Sequence, residues 1–326
     1  MKLATLSAAV GGALALLAGG TASAQSFPTK PIRLIIPFAP GGSTDIVGRI
    51  AAERMGRELG HSVVVENRAG GGGVVGAEAI KAAVPDGYTI GMATVSTHGV
   101  QPVIAAKPTY DPLKDFIPIT NLAAVPNVVA VNPQRMKARD MKSFLAELRS
   151  QPGKLSYASS GTGGIGHLMG ETFKATTKTF ILHIPYRGAG PALVDVVGGQ
   201  VDMIFDNLPS SLPHIKAGKL IPIAVASSRR FEGLPNVPTY AELGMPECNS
   251  MAWYGLIAPA RTPDAAVQVI YGAAVKSLAD PDVRKRLTEQ AAYPVGNTPA
   301  QFTDEIRREL DLNRKVVKSQ GLTLID

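Results

Sequence analysis

Two stretches of this chain have the residue types and spacing for chemistry at a ligand. Gly161-Thr162-Gly163-Gly164-Ile165-Gly166 spells GxGxxG between a strand pattern and a helix pattern, and Gly71-Gly72-Gly73-Val74-Val75-Gly76 spells it again. Such a loop marks a dinucleotide site when a carboxylate closes the next strand, about 20 residues on, to hold a ribose. Here the next strand patterns, Phe180 to Ile184 and Tyr88 to Thr94, run into Pro185-Tyr186-Arg187 and Val95-Ser96-Thr97-His98. Neither supplies an acid, so no nicotinamide and no other cofactor is expected. What remains is the backbone. A glycine loop that opens a helix presents N–H groups, and the helix dipole adds partial positive charge. Together they can seat an anion without a charged side chain. Phe38-Ala39-Pro40-Gly41-Gly42-Ser43-Thr44-Asp45 is one such loop, and Ser159-Ser160-Gly161-Thr162-Gly163 is another, with hydroxyls as further donors. Either alone reads equally well as a tight βα turn, because glycine serves turns too. Two of them, each after a strand, weigh toward a ligand, since open α/β sheets bind at the carboxyl ends of their strands.

Other reactive types are sparse. His61, His98, His167, His183 and His214 show no HExxH or paired metal spacing, so no metal site is expected. His167, on the helix leaving the second glycine loop, could touch a ligand or serve only the helix start. His98 follows a strand and is placed to line a cleft. No GxSxG elbow exists, so a hydrolase would need an unusual Ser–His pairing, and no catalytic residue is assigned. Phe38 and Tyr186 are aromatic candidates for contact with a ligand body, whereas Trp253 and Tyr254, at the inferred crossing, could line the cleft or simply pack the hinge, with packing favoured.

The elements that position these loops alternate. Ile32 to Pro37 reads as a buried strand, and Ser43 or Thr44 opens a helix whose apolar residues Ile46, Val47, Ile50, Met55 and Leu59 recur at helical spacing. Strands follow at Val63 to Val65 and Tyr88 to Thr94, and strand-like segments fill Phe116 to Val131. The pattern restarts with a helix over Met141 to Arg149. Strands at Leu155 to Ala158, Phe180 to Ile184, Val201 to Phe205 and Ile221 to Ala226 come with helices between them. Trp253 to Ala258 is one more strand, and Pro263 to Ser319 is mostly helical, broken at Pro281 and at Pro294-Val295-Gly296. Alternation of this kind predicts an α/β fold with mostly parallel sheets, and two rounds of it predict two lobes. The helical tail has too few strands for a third lobe, so it packs back on the first. That assigns residues 25–125 plus 253–326 to one lobe and 126–252 to the other, with two crossing segments as a hinge and a cleft between.

The N-terminus sets the expected compartment. Met1-Lys2, an apolar run from Leu3 to Leu17 and the small-x-small site Ala22-Ser23-Ala24 form a secretory signal peptide over 1–24, cleaved before Gln25. The mature chain is expected in the periplasm, as a monomer that does not span the membrane. Lys2 leaves with the leader, so the formal charge of +7 becomes +6. The excess is dispersed over helix faces, which argues against nucleic acid. Cys248 is the only cysteine, so no internal disulfide can form.

The ordered segments FPTKPIRLIIPFAPGGSTD (Phe27 to Asp45), VVVENRAGGGG (Val63 to Gly73), PDGYTI (Pro85 to Ile90), YDPLKDFIPI (Tyr110 to Ile119), PGKLSYASSGTGGIGHL (Pro152 to Leu168), HIPYRGAGPALVDVVGGQVD (His183 to Asp202), LPNVPTYAELG (Leu234 to Gly244) and WYGLIAPARTP (Trp253 to Pro263) span almost the whole mature chain. In these the chain resembles the Bug family of extracytoplasmic solute receptors, the binding components of tripartite tricarboxylate transport systems. The resemblance implies a two-lobed Venus flytrap, type II-like, that closes on a small organic acid and delivers it to integral-membrane transporter subunits. It further implies that the two glycine loops pinch a ligand carboxylate. Those roles fall on Phe38, Gly41, Gly42, Ser43, Thr44 and Asp45, and on Ser159, Ser160, Gly161, Thr162 and Gly163, with Asp206 and Asn207 as weaker candidates. Asp45 is expected to cap its helix or hold the loop, because like charges repel. Rival readings are a ligand-sensing co-receptor of a sensor kinase and an exported carboxylate-ester hydrolase.

Overall fold

The computed structural model describes residues 27–319 and 321; the leader and its cleavage site lie outside them. Two sheets organise the chain. The first contains β1 (Ile32–Ile36), β2 (Val63–Asn67), β3 (Thr89–Thr94), β4 (Phe116–Val125), β10 (Ala252–Pro259) and β11 (Tyr293–Pro294), in the order β11-β4-β10-β3-β1-β2. The second contains β5 (Asn127–Val131), β6 (Ser156–Ser159), β7 (Leu182–Pro185), β8 (Met203–Asn207) and β9 (Ile221–Ala226), in the order β7-β6-β8-β5-β9. Pro126 separates β4 from β5, and there the chain passes from the first sheet to the second. It returns between β9 and β10.

Both sheets are mixed. β1 pairs in parallel with β2 and β3, and β6 with β7 and β8, as βαβ connections require. β10 runs antiparallel to β3 and β4, and β5 antiparallel to β8 and β9. The antiparallel strands are those of the crossing segments, which enter or leave a sheet without a crossover helix. The break expected at Pro294 contains β11, which pairs with β4 and extends the first sheet.

Local chemistry explains the elements. In β1, Ile32, Leu34, Ile35 and Ile36 are buried and Arg33 alone is exposed, the signature of a strand covered on both faces. The helix α1 (Ser43–Leu59) ends at Gly60, whose φ of 68° is the left-handed stop that glycine accepts most readily. The remaining helices are α2 (Val74–Lys81), α3 (Gln101–Ile104), α4 (Met141–Ser150), α5 (Ile165–Thr177), α6 (Ala189–Val197), α7 (Leu208–Lys216), α8 (Asp264–Ala279), α9 (Pro281–Glu289) and α10 (Pro299–Ser319). Phe302, Ile306 and Leu310 put one stripe of α10 into the core of the first lobe, and Phe302 meets Trp253 edge-on at 5.2 Å. Burying a side chain such as Phe302 stabilises the fold by roughly 2–3 kcal/mol, which fixes the tail against β4 and β10. α8 packs on α1. Among the described residues, no helix is long and apolar enough to cross a membrane.

Candidate functional site

The carboxyl ends of β1 and β3 face those of β6 and β8 across the lobe boundary. Between them lies a void of about 20 Å³ lined by Phe38, Gly42, Ser43 and Thr44 after β1, by Thr94, Val95 and Ser96 after β3, and by Ser160, Ile165, Ala189 and Asn207 from the second lobe. Ala252 and Tyr254 of β10 complete it. No charged side chain lines this space.

Four helices begin here, and how they begin is informative. α1 starts after Gly42, α5 after Gly164, α6 after Gly188 and α7 after Asn207, and none of these N-caps makes a side-chain cap bond. Away from the cleft, α4 is capped by Asp140 in a capping box and α9 by the Asp280 carboxylate. First-turn N–H groups have no intrahelical acceptor. An uncapped helix start turns its donors to other partners (at α7 the Leu208 N–H donates to the Pro126 carbonyl and Pro209 has no N–H), and each start adds roughly half a positive charge through the helix dipole. Such a convergence of backbone donors and hydroxyls is suited to seating an anion.

Some of these donors hold the lobes together. Ser43 Oγ lies 2.7 Å from Ser210 Oγ, and the Ser210 N–H donates to Ser43 Oγ over 2.9 Å. The Ile165 N–H donates to Ser96 Oγ at 3.0 Å, Tyr254 OH to Asn207 Oδ1 at 2.7 Å, and the Ala39 N–H to the Arg187 carbonyl at 3.0 Å. Gln101 Nε2 reaches the Thr162 carbonyl at 2.8 Å and the Gly71 carbonyl at 3.1 Å. The lobes are thus in direct contact, and the void has room for about one water molecule.

The expected residues divide by position. Phe38, Gly42, Ser43, Thr44, Ser160 and Asn207 line the void. The others stand behind it. The Asp45 carboxylate accepts the Gly41 N–H at 3.1 Å, Asn67 Nδ2 at 2.9 Å and Arg49 Nε at 3.0 Å, so Gly41 and Asp45 brace the first loop. Burial pushes the Asp45 pKa up, but the bonds from Arg49, Asn67 and Gly41 outweigh it and hold the carboxyl below its ordinary value.

Ser159, Gly161, Gly163 and His167 brace the second loop in the same way. Ser159 Oγ lies 2.6 Å from His183 Nε2 and accepts the Gly161 N–H, and the Gly163 N–H donates to His167 Nδ1 over 3.1 Å. The two imidazoles stack at 4.2 Å. Burial lowers both pKa values, that of His183 to about 3, so both rings stay neutral and His167 Nδ1 stays an acceptor. Ser159 is fully buried, which suits a brace rather than a nucleophile. Thr162 contributes its carbonyl to Gln101. Asp206 accepts from the Ser210 and Ser211 hydroxyls at 2.7 Å each, and burial raises its pKa to about 6.

Several lining residues were not expected from the sequence. Ser96 follows β3 in a short π-helical turn, Ser96–Val100, and the small polar run after that strand was the available signal. Ala189 opens α6 between Gly188 and Gly190, a third glycine-rich helix start. Tyr254, open to either role from the sequence, both packs at the crossing and lines the void. His98 differs from expectation. It is fully buried against Phe116 and Tyr110 rather than in the cleft, because the π turn rotates it into the first core.

Comparison with known proteins agrees with this geometry. The sequence profile of the family described as "Tripartite tricarboxylate transporter family receptor" matches residues 47–322. Protein BugT of Bordetella pertussis (strain Tohama I) is 36% identical over 304 residues, 93% of this chain and 93% of BugT. A solved structure described as a periplasmic transporter superposes with a TM-score of 0.90 at 52% identity, covering 92% of this chain and 100% of the other. An R. palustris protein solved with adipate superposes with a TM-score of 0.87 at 32% identity, covering 90% and 98%. The chain belongs to the receptor family of tripartite tricarboxylate transporters, with a Bug protein among its relatives.

Proposed function

We propose that the chain is an exported, periplasmic receptor that captures a small mono- or dicarboxylate between its lobes and delivers it to a membrane transporter. The observation that carries this reading is the convergence of four uncapped helix starts on one uncharged void between the two sheets. Such a seat recognises negative charge and geometry, as a carboxylate offers, and holds no residue that would act on it chemically. Closure follows from the geometry, because donors from both lobes reach one anion only when the lobes approach. The adipate held by the R. palustris relative supports a carboxylate as the ligand class. Binding without catalysis is the reading we adopt. Ser159 faces an imidazole that burial makes a weak base, its pKa lowered to about 3, and among the described residues no carboxylate accepts a hydrogen bond from that ring.

The test is thermal unfolding and calorimetry of the chain from Gln25 against aliphatic and aromatic mono- and dicarboxylates, with their amides as controls. A ligand at 100 times its Kd stabilises the fold by about 2.7 kcal/mol, or about 4 °C in midpoint for a chain of this length. A rise with an acid and none with its amide supports the receptor. Equal response to acid and amide, or to neither, overturns it.

A further inference from the structure

We infer that His167 is a positioning residue for lobe closure: its imidazole orients the Thr162–Gly163 peptide so that the carbonyl meets Gln101 of the first lobe, and a proton on Nδ1 undoes this clasp. The inference concerns the closing motion rather than the ligand, and it is tested without one. A single peptide group joins the two lobes here. Its N–H, on Gly163, donates to His167 Nδ1 over 3.1 Å within the second lobe. Its carbonyl, on Thr162, accepts Gln101 Nε2 over 2.8 Å across the lobe boundary. Because a peptide is planar, fixing the direction of the N–H also fixes that of the carbonyl.

The seam leaves that peptide little choice. Gly72 of the first lobe has a φ of 61°, and a side chain on it would run into the Thr162 oxygen and the Gln101 amide. A methyl group on Gly161 would lie 3.0 Å from the Gly72 Cα. Backbone therefore packs on backbone, and a turned peptide does not fit while the lobes are shut. Gln101 Nε2 also donates to the Gly71 carbonyl at 3.1 Å, so the same amide serves both sides of the seam. Gly163 is buried, so its N–H needs an acceptor from the protein, and His167 supplies it.

Accepting at Nδ1 places the proton of the neutral ring on Nε2. A second proton can go only to Nδ1, where donor would then face donor. The titratable groups around the ring come from three elements. On α5, Glu171 Oε1 lies 3.8 Å from His167 Nε2, and this carboxylate is held by Lys174 at 2.8 Å and by the Tyr157 hydroxyl of β6 at 2.8 Å. His183 of β7 stacks on the ring at 4.2 Å and, with its pKa pushed down to about 3, stays neutral while His167 titrates. Burial is the main reason that His167 titrates below its ordinary 6.5; Lys174 acts with burial and Glu171 against it. Closure favours the neutral ring, so the clasp holds at neutral pH and is lost as pH falls through the His167 pKa.

The experiment is a titration of the ligand-free chain from Gln25 between about pH 7.5 and about pH 4.5. Nuclear magnetic resonance follows the Gly163 amide and the His167 ring. Single-molecule energy transfer between dyes on exposed residues of the two lobes gives the ratio of closed to open molecules. In the parent, both resonances should report one pKa below 6.5, and the ratio should fall about fivefold across it, the scale of one hydrogen bond. His167→Asn keeps an acceptor, Oδ1, close to the place of Nδ1. It should match the parent within about twofold at neutral pH and exceed it about fivefold in acid. His167→Leu should show the low ratio at every pH. Gln101→Leu should lower the ratio and erase the difference between His167 and Asn at this position. Asp206 titrates near pH 6 beneath the Ser43–Ser210 contact, but it does so in parent and variant alike, so their difference isolates His167. Agreement of the parent with His167→Asn over the whole range, or a Gly163 amide that ignores the His167 titration, overturns the inference. The receptor reading survives that result, because it stands on the titrations with acids and amides, and failure of those leaves the clasp standing.

Discussion

Gly190→Ala separates closure from stability, because its two effects have opposite signs. Gly190 lies in the first turn of α6 with ordinary helical backbone. A methyl group built there would come about 1 Å closer to the Pro40 carbonyl oxygen than a carbon–oxygen contact allows. The nearest atoms it meets, in Pro40 and Gly41, all belong to the first lobe. None of those nearest atoms belongs to its own lobe, the backbone there is not in the left-handed region, and alanine gains up to about 1 kcal/mol over glycine in a helix. The unfolding midpoint without ligand should therefore stay level or rise by a degree or two. Affinity should fall. With the lobes wedged apart, a carboxylate held at α1 loses the donors of α5 and α6. A hydrogen bond to a charged group contributes about 1.5–3 kcal/mol, so losing one or two costs roughly 3 kcal/mol, about 100-fold in Kd. Calorimetry with the preferred acid reads the affinity, and small-angle scattering reads whether the ligand still compacts the chain. A Kd within about threefold of the parent's, with ligand-induced compaction intact, would refute the idea that this seam must close to hold the ligand.

Three further outcomes follow from the same contacts. Ser43→Ala removes the hydroxyl that joins Ser210 across the cleft and should weaken ligand binding about five- to tenfold with little change in ligand-free midpoint; an unchanged Kd in calorimetry counts against Ser43 as a strut. Asp45→Ala strips three donors of their acceptor and should cost roughly 2–3 kcal/mol, about 4 °C in midpoint. Because the folded Asp45 pKa lies below the ordinary 3.8, its contribution is present above that value and lost as pH falls through the folded pKa. The gap between parent and variant midpoints should therefore narrow below about pH 4, and a constant gap would exclude an ionised brace. Asp206 has the opposite sign. Burial raises its pKa from 3.8 to about 6, so the folded chain is most stable with this group protonated and loses on the order of 3 kcal/mol as pH rises from about 4 to 6. Asp206→Asn should lack that decline, and parallel midpoint curves for parent and variant from pH 4 to 7 would contradict it.

Much of the fold was legible because periodicity and burial coincide. β1 is apolar on both faces, and α1 keeps a helical stripe. The first-strand loop and Ser160 were legible as well, since glycine and hydroxyl residues after a strand have few other uses. What was harder to read came from the third dimension. Ser96 and Ala189 sit far apart in sequence from the loops they meet, and only sheet order brings β3 and α6 to the same void. Asp206 looked like a ligand contact by position in the chain, His167 like either a contact or a helix-start group, and Asp45 like a loop brace beside the seat. Their polar atoms turn instead to the backbone and hydroxyls behind the loops, which need acceptors as much as a ligand needs donors. The π turn at Ser96–Val100 has no periodic signature, and it alone decides that His98 faces the core while Ser96 faces the cleft.

The composition of the seat also determines where selectivity must lie. A guanidinium in the void would bind a carboxylate through a buried ion pair, whose desolvation makes both its worth and its release strongly dependent on local packing. Backbone donors remain in place whether or not an anion is present, and the helix dipoles supply charge with no counter-ion to displace. Such a seat grips any carboxylate with modest, similar strength. It cannot distinguish one organic acid from another, because every acid offers it the same two oxygens. Discrimination then falls to whatever surrounds the rest of the molecule. A receptor built this way recognises acids in general at the helix starts and chooses among them by the shape and polarity of the space around the rest of the molecule.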